Sequence, residues 1–288
     1  MPGAGARPKR ANPTDRAAWK NRSMNSVPTP PRHRLPVATG VLVALNVGLW
    51  LLQVATGVSP LHPLSATLLA WGGDMPVYTL TGDTWRLFTA MFVHGGIVHV
   101  GLNMYVLAFT APQVEYEFGT ARMLGIYLAG GLLASCASVF WSVLRSTPEN
   151  PVGLLTVSVG ASGAVMALFG ALLAGLVLPT PRFAHLPRHL QPGIHSGLIQ
   201  AVAINIGMGF MIHGVDNAAH VGGLVGGVVL GIIMAVSPTA VEARDTFARF
   251  VAAAGLVAVC TGMLLHSANR PQLMILRAEL EARPAPDR

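Results

Sequence analysis

Residues 217–236 read NAAHVGGLVGGVVLGIIMAV, an uncharged apolar run interrupted by His220 and punctuated by Gly223, Gly227 and Gly231 at four-residue spacing. About 20 apolar residues suffice for a helix to cross the hydrocarbon core of a bilayer. This run is therefore read as a membrane span, and its evenly spaced glycines give it a small-residue face against which another helix can pack closely. An ionisable side chain at membrane depth is costly and usually faces a cavity or a partner. His220 is thus a functional candidate before anything else in the chain is considered.

Outward from this run the same pattern repeats. Uncharged stretches occupy 35–73, 87–114, 123–144, 150–181, 190–215, 217–241 and 250–269, and only 11% of the 288 residues are charged, against about 25% in a soluble domain. Each stretch accommodates one span, so an all-α, polytopic membrane protein with seven spans is predicted. Those spans are Pro36–Val54, Ile97–Gln113, a third ending near Leu144, Ser158–Leu178, Gly193–Ile212, Asn217–Val236 and Phe247–His266. The first is read as an uncleaved span. No repeat between the two halves suggests a secondary transporter.

The net charge of +7 does not point to nucleic acid. Eight Lys/Arg and one Asp fall in residues 1–35, and the rest of the chain is balanced. That Pro-rich, apolar-poor segment is expected to be disordered and to hold its end in the cytoplasm, next to anionic lipid. Parity then puts the basic loop after span four on the same side, as the positive-inside rule requires, whereas the four Arg after span seven fit poorly. Cys136 and Cys260 lie within apolar spans and read as packing residues rather than a disulfide framework.

Parity also gathers the polar residues. Spans two, four and six begin at one membrane face. Near their starts stand His99 and Asn103 in HVGLN, Ser162 in GASG and His220 in AHVGG, so the four share one depth. A serine hydroxyl is a weak nucleophile until a neutral His accepts its proton, and the oxyanion formed on acyl transfer needs donors. Ser162 and His220 supply the pair; His99, Asn103 and the Ser162 backbone N–H supply the donors. Gly160 and Gly163 allow close backbone approach. Each residue alone has a plainer reading: a packing or capping serine, a histidine bonded to a carbonyl, an Asn and His joining helices. Asp216, four residues before His220, invites a triad but is expected to be a loop residue or helix cap. Glu115 is expected to tie a loop near the other face, and His62, His195 and His266 to be interfacial.

In order and in span assignment, Trp85-Arg86, His94 with HVGLN, GASG, and Ala-His with its glycine ladder resemble the rhomboid intramembrane serine proteases over about residues 36–236. The resemblance implies a six-helix rhomboid-like core with a Ser162–His220 dyad, an oxyanion hole from His99, Asn103 and Ser162, and structural support from His94, Trp85, Arg86, Gly160, Gly163 and Gly223. It also implies a C-terminal seventh transmembrane helix added to that core. The segments are then a basic tail at 1–35, the protease core at 36–236, a loop and seventh helix at 237–266, and a charged tail at 267–288. One departure is Met166, four residues after the serine, where many members carry an aromatic ring against the catalytic histidine.

The expected function is intramembrane serine endopeptidase activity on single-span transmembrane substrates within the lipid bilayer, with no cofactor, no metal and no nucleic acid partner. A bacterial inner-membrane location is expected. The oligomeric state is unknown from sequence. Alternatives are a catalytically silent rhomboid-like binder of transmembrane clients, a histidine-lined metal or haem protein, and a transporter. Retention of both Ser162 and His220 argues against the first, and the lack of an HExxH motif or nearby acidic or thiol ligands argues against the second.

Overall fold

The computed structural model describes residues 36–178, 191–212, 214–235, 242–267 and 270–282. The basic segment 1–35, the basic loop with Arg182, His185, Arg188 and His189, residue His213, the side chain of His195 and the loop at 236–241 lie outside the described residues.

All seven expected spans are helices. Helix α1 covers Val37–Ala55. Three short helices follow: α2 (Ser65–Ala70), α3 (Pro76–Leu80) and α4 (Arg86–Thr89). The remaining long helices are α5 (Ile97–Phe118), α6 (Thr120–Arg145), α7 (Ser162–Val177), α8 (Gln191–Met211), α9 (Asn217–Met234) and α10 (Glu242–Ser267). Five of the seven are long and apolar enough to cross a membrane, and the apolar stretches of α7 and α8 are shorter. No strand is formed among the described residues; one isolated bridge joins Asp74 to Ser158.

The length of α7 has a physical consequence. Its 16 residues rise about 24 Å at 1.5 Å per residue, short of a hydrocarbon core of about 30 Å. A helix this short does not cross the core by itself. Residues 158–160 precede its first residue, Ser162, and non-helical residues that complete such a crossing must find their hydrogen bonds within protein. They do: Ser158 exchanges both backbone bonds with Asp74, and Gly160 N–H donates to Ala90 O at 2.8 Å.

α7 is the central helix, surrounded by α5, α6 and α9, and its apolar residues are nearly all buried. Between membrane helices packing replaces the hydrophobic effect as the cohesive term, and small residues are its means. The glycine ladder of α9 meets a matching ladder on α7: Gly223 lies on Gly163, Gly227 on Ala167 and Gly231 on Ala171. Both series advance by four in the same direction, so the two helices are parallel. At the other end of the bundle Glu115 accepts hydrogen bonds from Thr39 and Thr120, tying α1 to the α5–α6 turn.

The segment after span seven, read from sequence only as a charged tail, contains helix α11, Arg270–Ala282. Leu273 is buried, and Leu276 and Leu280 pack with it against Val77, Leu80 and Leu87. Arg277 pairs with Glu281 and Asp83, donates to Thr81 Oγ1 at 3.1 Å and lies over the Tyr78 ring. Docking on α3 and pairing at Asp83 thus give Arg277 partners within the protein. Each pair is partly exposed, so Arg277→Ala is expected to weaken this docking by about 1 kcal/mol. The check is hydrogen exchange: roughly fivefold faster exchange across residues 76–89, with α5 to α9 unchanged.

Candidate active site

The pairing of the two ladders gives the spacing of residues 162 and 220 along the bundle. Relative to the Gly163–Gly223 contact, Ser162 is one residue and His220 three residues toward the same helix ends. At 1.5 Å per residue their axial offset is only about 3 Å. Sideways the backbones touch, since a methyl group added at Gly163 would stand 3.6 Å from the carbonyl oxygen and 3.9 Å from the Cβ of Ala219, the residue beside His220. The same addition at Gly223 would run into the Gly163 carbonyl, so only glycine fits there. Ser162 is half-buried and His220 is buried. The Nδ1 atom of His220 has no hydrogen-bond partner among the described residues.

His99 and Asn103 converge on the same point from α5. A methyl group on Gly160 would lie 2.6 Å from His99 Nε2 and 3.5 Å from Asn103 Nδ2, and the backbone there has φ = 116°. Glycine is required on both counts. His99 Nδ1 accepts the Gly95 N–H at 3.2 Å; its proton therefore sits on Nε2, the atom facing the Gly160 loop. Asn103 spends one amide hydrogen on His99 O, 3.1 Å away, and keeps the other. The backbone N–H of Ser162, at the start of α7, has no intrahelical acceptor. The His99 and Asn103 donors thus lie beside Gly160, two residues before the Ser162 N–H, an arrangement that suits a developing oxyanion.

The supporting residues are held from behind. His94 is 1% exposed, packs edge-on against His99 with ring centroids 5.3 Å apart, and donates its backbone N–H to Gln53 Oε1 at 3.3 Å. Burial first, then the neighbouring His99, push its pKa down to about 3, so it is neutral. Its Nδ1 hydrogen is donated to Phe92 O at 3.3 Å. Arg86 donates to Leu69 O at 2.7 Å and Gly73 O at 3.0 Å, pairs with Asp83 and lies 4.4 Å over the half-exposed Trp85 ring. This fixes Gly73 and the adjoining Asp74, whose backbone holds the Ser158 loop. Met166 is fully buried in the main core. His62 and His266 are exposed. Cys136 and Cys260 are free thiols.

Asp216 is an N-cap, as expected: its Oδ1 accepts the Ala219 N–H at 3.0 Å. Sequence reasoning passed over three contributors. The Asn205 carbonyl on α8 interacts with His220; Gln53 braces His94; Asp74 anchors the Ser158 loop. The Gly163-Ala167-Ala171 face was legible by its four-residue spacing.

Asp74 is 1% exposed. Its Oδ1 accepts from Thr79, and its Oδ2 is buried without a partner. Burial raises its pKa from 3.8 to about 7, aided by Asp216 and opposed by Thr79 and Arg86. For an acid whose folded pKa lies above its unfolded value, the native state holds the extra proton. Stability contributed by the protonated form is therefore lost as pH rises from about 4 to about 7, on the order of 4 kcal/mol at 1.36 kcal/mol per unit. Asp74→Asn is expected to remove this slope, so that its thermal midpoint exceeds wild type at pH 8 and the advantage shrinks toward pH 5. Parallel melting curves would reject the assignment.

The family model described as the Rhomboid domain matches residues 81–237. Rhomboid protease GluP of Bacillus subtilis is 29% identical over 236 residues, 82% of this chain and 41% of that protein. RHOMBOID-like protein 4 of Arabidopsis thaliana is 35% identical over 179 residues, 62% of this chain and 41% of its own length. Rhomboid protease AarA of Providencia stuartii is 29% identical over 207 residues, covering 69% of this chain and 73% of that protein. The chain therefore spans about two fifths of the first two relatives and most of the third.

Proposed function

Because the chain belongs to the rhomboid family, we propose that it is an intramembrane serine endopeptidase that hydrolyses peptide bonds in or near the transmembrane segments of other membrane proteins. Ser162 is the nucleophile and His220 its base. The observation that supports this reading is the facing ladder of α7 and α9, in which residues 162 and 220 are offset by only about 3 Å of helical rise.

In the proposed reaction Ser162 Oγ bonds to the scissile carbonyl carbon while its proton passes to His220. The carbonyl π electrons move onto oxygen, and the resulting oxyanion is met by His99 Nε2–H, Asn103 Nδ2–H and the Ser162 backbone N–H. Collapse breaks the C–N bond as His220 returns the proton to the leaving amine. Water then attacks the acyl ester, giving its proton to His220, and the serine leaves with that proton. No cofactor takes part. His94, Trp85, Arg86, Gly160, Gly163 and Gly223 hold this arrangement in place.

The substrates we propose are single-span proteins whose helix unwinds readily near this end of the bundle, because a hydrogen-bonded helix hides its scissile carbonyls. We assign the protease core to 36–236, with the loop and seventh helix at 237–266 and the segment at 267–288 added to it. The N-terminal end is assigned to the cytoplasmic side of a bacterial inner membrane. Incubating detergent-purified protein with a fluorophosphonate probe, as wild type, Ser162→Ala and His220→Ala, tests the dyad. A client-binding relative without catalysis would leave wild type unlabelled.

A further inference from the structure

Asp216 does more than a cap requires. One oxygen, Oδ1, caps α9 through Ala219. The other, Oδ2, accepts the Ser158 hydroxyl at 2.7 Å and also the buried Ser138 hydroxyl of α6. Three elements therefore end on one half-buried carboxylate, which forms stronger hydrogen bonds than a neutral acceptor does. Ser158 stands four residues before Ser162, and Asp216 four residues before His220. The carboxylate thus joins the two halves of the dyad from equivalent upstream positions. The ladder alone leaves a gap in the geometry: glycine and alanine faces set how close α7 and α9 come, but with few protruding groups they resist sliding weakly. A link between the Ser158 loop and the start of α9 removes that freedom.

Resting on the dyad reading above, we infer that Asp216 is a positioning residue whose carboxylate, through Ser158, locks the axial register between the Ser162 loop and the His220 helix. It touches neither substrate nor the reacting atoms. Its effect is on the alignment of Ser162 Oγ with His220, so it belongs in the maximal rate and not in probe binding.

The test uses the full chain in detergent, with fluorophosphonate labelling rates measured against probe concentration and thermal midpoints measured in parallel. Ser158→Ala leaves the cap of α9 intact. It is expected to lower the maximal labelling rate roughly ten- to a hundredfold, with the half-saturating probe concentration within about twofold and the midpoint within a few degrees. Asp216→Ala is expected to do the same or worse, and Asp216→Asn, which can still cap α9, to fall between. A wild-type maximal rate in Ser158→Ala, or a change confined to half-saturation, overturns the inference. If Asp216→Ala does not fold, Ser158→Ala decides. Labelling that persists in Ser162→Ala refutes the dyad itself, an outcome distinct from a dyad that works without Asp216.

Discussion

Ser162→Ala is expected to take no fluorophosphonate label at all, and His220→Ala to label more slowly than wild type by a factor on the order of 10⁴ to 10⁶. The two losses differ in kind. Labelling forms a bond from Ser162 Oγ to phosphorus and expels fluoride, so removing the oxygen removes the reaction. Removing the imidazole leaves the oxygen but nothing to take its proton, and a hydroxyl at ordinary pH is then nearly inert. His99→Ala and Asn103→Ala should each reduce turnover of a transmembrane reporter by about 10² to 10³, the usual effect of deleting one oxyanion donor, while Ser162 remains present to react. Thermal midpoints near wild type for Ser162→Ala would show that the loss is chemical. Wild-type labelling in His220→Ala would exclude it as the base.

The second large effect is expected from Gly223→Val. The added carbons would meet the Gly163 carbonyl, and that obstacle is backbone, unable to rotate aside. Overpacking a well-filled interior costs about 1–3 kcal/mol even where side chains can yield, so α9 must move away from α7. A displacement near 1 Å is enough to slow a positioned reaction about 100-fold. Gly223→Val is therefore expected to lose both thermal stability and at least that much labelling rate. Gly48→Ala on α1 is the control: nothing lies within 4 Å of its added methyl, and alanine is the better helix former by up to about 1 kcal/mol. Its midpoint should be equal to wild type or higher. If Gly223→Val behaved like Gly48→Ala, the ladder would not be what sets the helix separation.

The seven long helices were legible because a bilayer requires long apolar runs, and charged residues such as Arg145 at the end of α6 and Asp216 before α9 mark where those runs stop. Ser162, His220, His99 and Asn103 were legible as polar exceptions near the starts of alternate spans. Position alone revealed less about Asp216. Its spacing from His220 suggested a cap, but its links to Ser138 and Ser158 depend on two other elements reaching it. Asp74 lies in a long connection where an acidic residue ordinarily reads as solvated; its burial follows from the α2–α4 segment folding against the Ser158 loop. The last helix, α11, was hidden for a related reason. Its arginines and glutamates suggested a solvated tail, while Leu273, Leu276 and Leu280 form a buried face only because Val77, Leu80 and Leu87 stand opposite.

The bond from Arg277 to Asp83 spans 194 positions of the chain. During synthesis at roughly 5–20 residues per second, some 10 to 40 s separate the emergence of its two ends. For that interval the newly made segment around α3 lacks its last brace, and it still lacks it when Ser162 and His220 have both left the ribosome. The nascent chain thus has a built-in delay between holding both Ser162 and His220 and being mechanically finished.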